Sequence, residues 1–367
     1  MTPERSAVAL VEWLAALWQL TDDGSTRCAN AHLLPLLRVA PALPAHPALE
    51  AVARARAVHG RDRLVKAVVG AAYGRRGDGA ALHDALHPLL ADGERLLGAG
   101  SQSVLAQSVD LAGRRLQEIA GRLDPAADLA ELVGERVALR IVTAPSVFLP
   151  PPQAGRHGVL VRGPEESIAH LHFGFPLRQD PRQFSITRPW LAGGGWHYAI
   201  QLYLERHWPS IAGRLVGRPD LARELADALR SPDGDGTDWT EVLQVHLNVA
   251  LKCLLSRRLN MPDGIHRAFA RARGLVLFPW FEEWLLGTGA TGERLAAEIA
   301  ALPDALADGR ARWQELAAAG SGPPPAMNLA LISRSARSAC LVVPDDWPEH
   351  AVSQACLLYT SPSPRDS

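Results

Sequence analysis

The chain has 367 residues, 47% of them hydrophobic, with 38 lysines and arginines against 39 aspartates and glutamates. That length supplies a sizeable core in one large domain or two smaller ones. The balanced charge excludes the basic surplus of a nucleic-acid binder, and no run approaches the roughly 20 apolar residues that a membrane helix needs.

Residues 1–133 read as almost entirely helical. The opening "MTPERSAVALVEWLAALWQL" lacks a basic start and is interrupted by Glu12, so it reads as an amphipathic helix and not as a secretory signal. "HPALEAVARARAVHG", "DGAALHDALHPLLADGERLL" and "SVLAQSVDLAGRRLQEIAGRL" repeat the i, i+3, i+4 apolar spacing between Gly and Pro punctuation. The texture changes at Gly134. "ERVALRIVTAPSVFLPPP", "RHGVLVRG" and "ESIAHLHFGF" are short, β-branched and alternating, so 134–188 predicts a small antiparallel sheet with hairpins. Pro150–Pro152 belong to a loop or an edge.

Helices return over Trp190–Trp208, with Pro209 as the stop, and again over 219–230. "SPDGDGTD" is a solvated turn, because it lacks the sixth-position glycine and closing glutamate of a calcium loop. The segment from Asp238 to Leu259 is the strongest helix. Asp238 and Glu241 form a capping pair, and apolar residues on more than one face predict burial. Pro279 and Pro303 mark later helix starts or kinks. After the linker "GSGPPP", "NLALIS" and "SACLVVP" read as two strands. The last stretch, "CLLYTSPSPRD" onward, reads as a translated sequencing adapter, so 356–367 are set aside as a scar. The remaining cysteines, Cys28, Cys253 and Cys340, form no CxxC pair. No disulfide framework or cysteine zinc site is expected, and a reducing cytoplasm is the expected compartment.

The expected fold is therefore α+β and mostly α-helical. A helical region at 1–133 precedes an α+β module at 134–319, followed by a linker with two strands at 320–355. Within the module, the stretch "HYAIQ" at 197–201 sets a histidine one helical turn before a glutamine, and "QVHLNVALK" places His246 on a later helix. Two histidines at i and i+4 share a helix face and can hold one zinc, while a glutamate between them polarises the bound water. The layout of sheet, His197 helix and later His246 helix resembles that of gluzincin-type zinc metallopeptidases, with a degenerate motif.

The resemblance carries residue by residue. His197 stands at the first histidine, Tyr198 at the catalytic glutamate and Gln201 at the second histidine. On the later helix, Val245 stands at the glutamate ligand and His246 at the histidine after it. A phenol with a reference pKa of about 10 is no carboxylate base near neutral pH. One histidine does not hold catalytic zinc, which takes three protein ligands. The resemblance thus implies a peptidase-like scaffold without peptidase activity: no catalytic residue, no cofactor, and a binding or structural role toward a protein or peptide, with neither nucleic acid nor membrane as partner. Two rival readings stand beside it. One is a metal-dependent hydrolase with an atypical zinc site from His197, His246 and Gln201, joined by His170 or His172. The other is a helical interaction protein unrelated to peptidases.

His207 lies ten residues after His197, the offset of a third zinc histidine, but an unbroken helix turns it about 80° away. His170 and His172 alternate along a strand and share one face. That face is expected to be solvated or to lie beside the His197 helix. His83 and His87 are an i, i+4 pair expected at the surface. Cys253 reads as an inert core thiol. Gly193–Gly195 let the His197 helix start close against the sheet. Trp190, Trp196, Tyr203 and Trp208 on one helix, and Phe278, Trp280, Phe281 and Trp284 on another, read as core. The sharper alternative is an aromatic cleft lined by His170, His172, Trp196, Tyr198 and Trp280, with Glu283 at its rim.

Overall fold

The computed structural model describes residues 2–21, 43–92, 113–149, 158–174, 188–229 and 238–320, apart from single positions at 44, 76, 78, 115 and 147. The readings at Cys28, 103–112, Pro150–Pro152, 231–237, Cys340 and 321–367, and at the Trp190 side chain, lie outside the described residues. The chain divides into two compact units, 1–125 with 138–198, and 126–137 with 199–367. The division therefore cuts within the His197 helix, not only near the change of texture at Gly134.

The first unit opens with α1 (Pro3–Leu20). Thr2 caps it by accepting from the Arg5 amide, and Pro3 sits in the first turn, where its missing N–H costs nothing. Its buried Ala7, Leu10, Val11, Leu14 and Leu17 form one stripe. That stripe shares a core with Val52 of α2 (Pro47–Val58), Leu64, Val65, Val68 and Val69 of α3 (Arg61–Ala72), and Leu82 and Leu86 of α4 (Ala80–Leu86). Each leucine so buried contributes roughly 1.5–3 kcal/mol.

Three strands follow: β1 (Leu139–Ser146), β2 (Gly158–Val161) and β3 (Ser167–Gly174), in the order β1-β3-β2. The sheet is mixed rather than antiparallel throughout. β1 runs parallel to the central β3, and only β2 pairs with it antiparallel. Alternation marks residues as strand but does not set direction, and β1 and β2 lie on opposite sides of β3 instead of pairing with each other.

β3 turns Ala169, Leu171 and Phe173 toward Leu191 and Tyr198 of α6 (Arg188–Val216). The close approach expected at Gly193–Gly195 is seen at Gly194 and Gly195, but these glycines lie inside the helix, which starts earlier at Arg188, and not at its start. A Cβ on Gly194 would stand 3.3 Å from the Leu171 side chain, and one on Gly195 would overlap the Pro125 ring and lie 3.6 Å from Ile141. α6 does not end at Pro209 but runs through it to Val216. Proline removes one i→i−4 bond, at roughly 3 kcal/mol. The buried stripe Leu204, Trp208, Ile211, Leu215 continues across it, and burying Ile211 and Leu215 offsets that loss.

The second unit holds the rest of α6, most of α5 (Pro125–Val133), and α7 (Pro219–Ala228), α8 (Trp239–Arg258), α9 (Gly264–Ala272), α10 (Phe278–Thr288), α11 (Glu293–Ala300), α12 (Leu302–Asp308) and α13 (Arg310–Gly320). Gly134 ends α5 with φ 78°, and a Cβ there would meet the Glu293 amide nitrogen at 3.1 Å, so both backbone and space call for glycine. The Gly292 amide donates to the Leu132 carbonyl at 2.7 Å and ties the two segments together. Asp238 caps α8 by accepting from the Thr240 amide at 2.9 Å. Trp313 is fully buried and donates its indole N–H to the Leu306 carbonyl at 2.9 Å. Among the described residues, no helix is long and apolar enough to cross a membrane.

Candidate functional site

α6 carries the histidine–glutamine stretch. Trp196 is fully buried and His197 half-buried, and the His197 and Tyr198 rings meet edge to face with centroids 5.0 Å apart. Tyr198 is 5% exposed. Its ring stands directly over Gly158 of β2, where no Cβ would fit. Burial pushes its phenol well above the ordinary value. Gln201, one turn after His197, donates its side-chain amide to Glu205 Oε1 at 2.9 Å. His197 and Tyr198 belong to the first unit, whereas Gln201 and His246 belong to the second.

His246 is buried on α8. Its Nδ1–H donates to the Val242 carbonyl at 2.8 Å, which leaves the lone pair on Nε2, and Nε2 has no hydrogen-bond partner among the described residues. Burial lowers its pKa to about 4, partly offset by the Val242 carbonyl, so the ring is neutral at pH 7. The Phe281 ring lies beside it, with centroids 6.3 Å apart. Val245, at the position of the glutamate ligand, is exposed.

His170 and His172 do share one face of β3, and that face is buried rather than solvated. Their rings stack at 5.9 Å. The Tyr73 hydroxyl and His170 Nε2 share a hydrogen bond of 2.6 Å, and His170 Nδ1 has no partner among the described residues. Burial brings His170 down to about 4 and raises Tyr73 to about 12, so both are neutral around pH 7. Arg140, nearby, bridges Glu4 at 2.6 Å and Glu166 at 3.0 Å. His83 on α4 and His87 at its C-terminal cap lie with ring centroids 5.5 Å apart, and His83 Nδ1 meets Asp84 at 3.1 Å.

In the second unit, Trp280 is buried and stacks on Trp284 at 5.6 Å. Glu283 is exposed and paired with Arg312 at 2.8 Å. Its neighbour Glu282 is held by Arg257 at 2.8 Å and Arg267 at 2.7 Å, and both arginines also reach Asp263. His207 meets Glu135 at 2.7 Å, with Arg206 on the other carboxylate oxygen at 2.6 Å. Burial pulls the Glu135 carboxyl up, but hydrogen bonds from His207 and Arg206 outweigh it and hold the group below its ordinary value. Among the described residues, no group of three or more His, Cys, Asp or Glu side chains could hold a metal ion.

The histidine-led reading passes over a polar row on α8. Asn248, Lys252 and Ser256 follow one another at four-residue steps, and all three are buried. The Lys252 ammonium sits 5.3 Å from the centre of the Phe269 ring on α9. Burial lowers the amine to about 8, and the charge of Lys252 adds to the burial that brings the enclosed His266 well below its ordinary value. Cys253, next in sequence, has its thiol pushed up to about 12 by burial and stays neutral. The signal was in the sequence: Asn248, Lys252 and Ser256 at helical spacing within the most apolar part of the helix.

No protein-family model matches the chain, and neither a curated protein nor a solved structure matches it.

Proposed function

We propose that this chain is a non-catalytic protein with a binding or structural role, in which the His197–Gln201 stretch of a peptidase-like scaffold serves packing. The observation that carries this reading is the place of Tyr198. A water-activating residue must reach solvent and substrate beside a metal. Position 198 instead fills the space over Gly158, inside a core that it shares with Leu171, Phe173 and Leu191. Gln201 spends its amide on Glu205, a neighbour on its own helix. The His246 Nδ1–H spends its hydrogen on the Val242 carbonyl, the ordinary arrangement of a buried helix histidine.

The reading is tested by incubating the purified chain with zinc and a mixed peptide library and following cleavage by mass spectrometry. No cleavage that depends on His197 is expected. Zinc-dependent cleavage abolished by His197→Ala would favour the atypical metal hydrolase instead.

A further inference from the structure

Of the 38 lysines and arginines, two are lysines, Lys66 and Lys252. Lys66 lies exposed on α3. Lys252 is 2% exposed in the middle of α8. A guanidinium cannot shed its proton, whereas a buried amine can, so this is a position where the two cations are not interchangeable. Among the described residues Lys252 has neither a carboxylate partner nor a hydrogen bond. The groups around it are an aromatic face and neutral side chains: Phe269 and His266 from α9, and the Cys253 thiol beside it. One turn on, the Ser256 hydroxyl is fully buried and likewise has no hydrogen-bond partner. The Ser256 hydroxyl thus stands inside the protein with its hydrogen-bonding capacity unspent, one turn from a buried lysine, a costly arrangement for a helix that merely packs.

We propose that Lys252 is a carbonyl-binding lysine: its ε-amine, set against the Phe269 ring one turn before the Ser256 hydroxyl, takes a small aldehyde or ketone as an imine. The amine nitrogen adds to the carbonyl carbon, and the carbonyl oxygen gains a proton to give a carbinolamine. Departure of that hydroxyl with the remaining proton of the nitrogen, as one water, leaves the C=N bond. No electrons are transferred, and no co-reactant enters. Burial lowers the amine and so enlarges its neutral, nucleophilic fraction, as imine formation requires, and a side chain 2% exposed admits only a small compound. Ser256 offers the unshared O–H that the carbonyl oxygen needs. This inference stands independently of the peptidase-like reading.

The two-lysine composition makes a direct test possible. The full chain is treated with propanal and sodium cyanoborohydride at pH 7, and N-propylation is followed by peptide mass spectrometry at Lys252 and Lys66. An amine at about 8 is neutral in roughly a tenth of molecules at pH 7, and an ordinary lysine in fewer than about a thousandth. The expected result is labelling of Lys252 about tenfold or more ahead of Lys66 in the native protein, with the preference lost in urea. Ser256→Ala is expected to slow Lys252 several-fold and to leave Lys66 unchanged. Labelling of Lys252 no faster than Lys66 in the native chain, or only after unfolding, overturns the proposal, as does an unaltered Lys252 rate in Ser256→Ala.

Discussion

The Tyr198 ring occupies the space that a side chain on Gly158 would need, so a residue of α6 and a residue of β2 fix each other's identity. Gly158→Ala is expected to destabilise the protein by about 1–3 kcal/mol, because the displaced ring is 5% exposed and has nowhere to go. Tyr198→Glu, which writes a peptidase glutamate back into the motif, is expected to be worse, since it buries a carboxyl among Leu171, Phe173 and Leu191. Urea denaturation of both variants checks this. A stable Tyr198→Glu protein would mean that position 198 faces water.

Pro209 sits inside α6 and is exposed. Pro209→Ala restores the amide that bonds to the Glu205 carbonyl and removes a ring that crowds it. The expected gain is on the order of 1 kcal/mol or more, read as a rise in Tm. A fall would show that the proline shapes α6 in a way the packing depends on.

Three of the buried histidines shape the acid response. His170 and His246 are lowered to about 4, and His266 is lowered too, by burial in each case. An unfolded histidine titrates near 6.5, so between about pH 4 and 6.5 the unfolded chain binds more protons than the folded one. Stability from this source is complete above pH 6.5 and is lost as pH falls toward 4, by up to roughly 3 kcal/mol for each fully shifted histidine. Urea midpoints between pH 7 and 4.5 should fall steeply, and His246→Leu should flatten the slope. An unchanged slope in that variant would contradict the placement of His246.

Lys252 acts in the alkaline range. Its amine falls from 10.5 to about 8, so the fold carries the cost of a buried cation below pH 8 and sheds it as pH rises toward 10.5. Lys252→Met is therefore expected to be more stable than the native chain at pH 7, by up to roughly 3 kcal/mol, with the gap closing by pH 10. Comparing the two proteins removes the opposing contributions of Tyr73, Tyr203 and Cys253, which burial raises to about 12. A gap that does not depend on pH would show that the amine stays charged.

Where packing repeats at a helical period, the sequence was readable. The stripe of α1 and the Asp238 cap of α8 follow from residue order alone. Strand direction was not readable, because Val142 and His170 pair in parallel through backbone groups that side-chain alternation does not encode. The run of α6 through Pro209 was hidden by a local rule that the buried Ile211 and Leu215 outweigh. At the candidate site, the shared face of His170 and His172 was legible, but its burial depends on what α3 brings to it, including Tyr73, 97 residues away. Lys252 was legible as one of only two lysines, yet its isolation needs Phe269 and His266 from a separate helix.

The most direct test of the non-catalytic reading is metal content, measured by elemental mass spectrometry on the purified chain beside His197→Ala. The account predicts well under one zinc per chain in both proteins. Near one zinc per chain, lost in His197→Ala, would contradict it and make His197 a metal ligand.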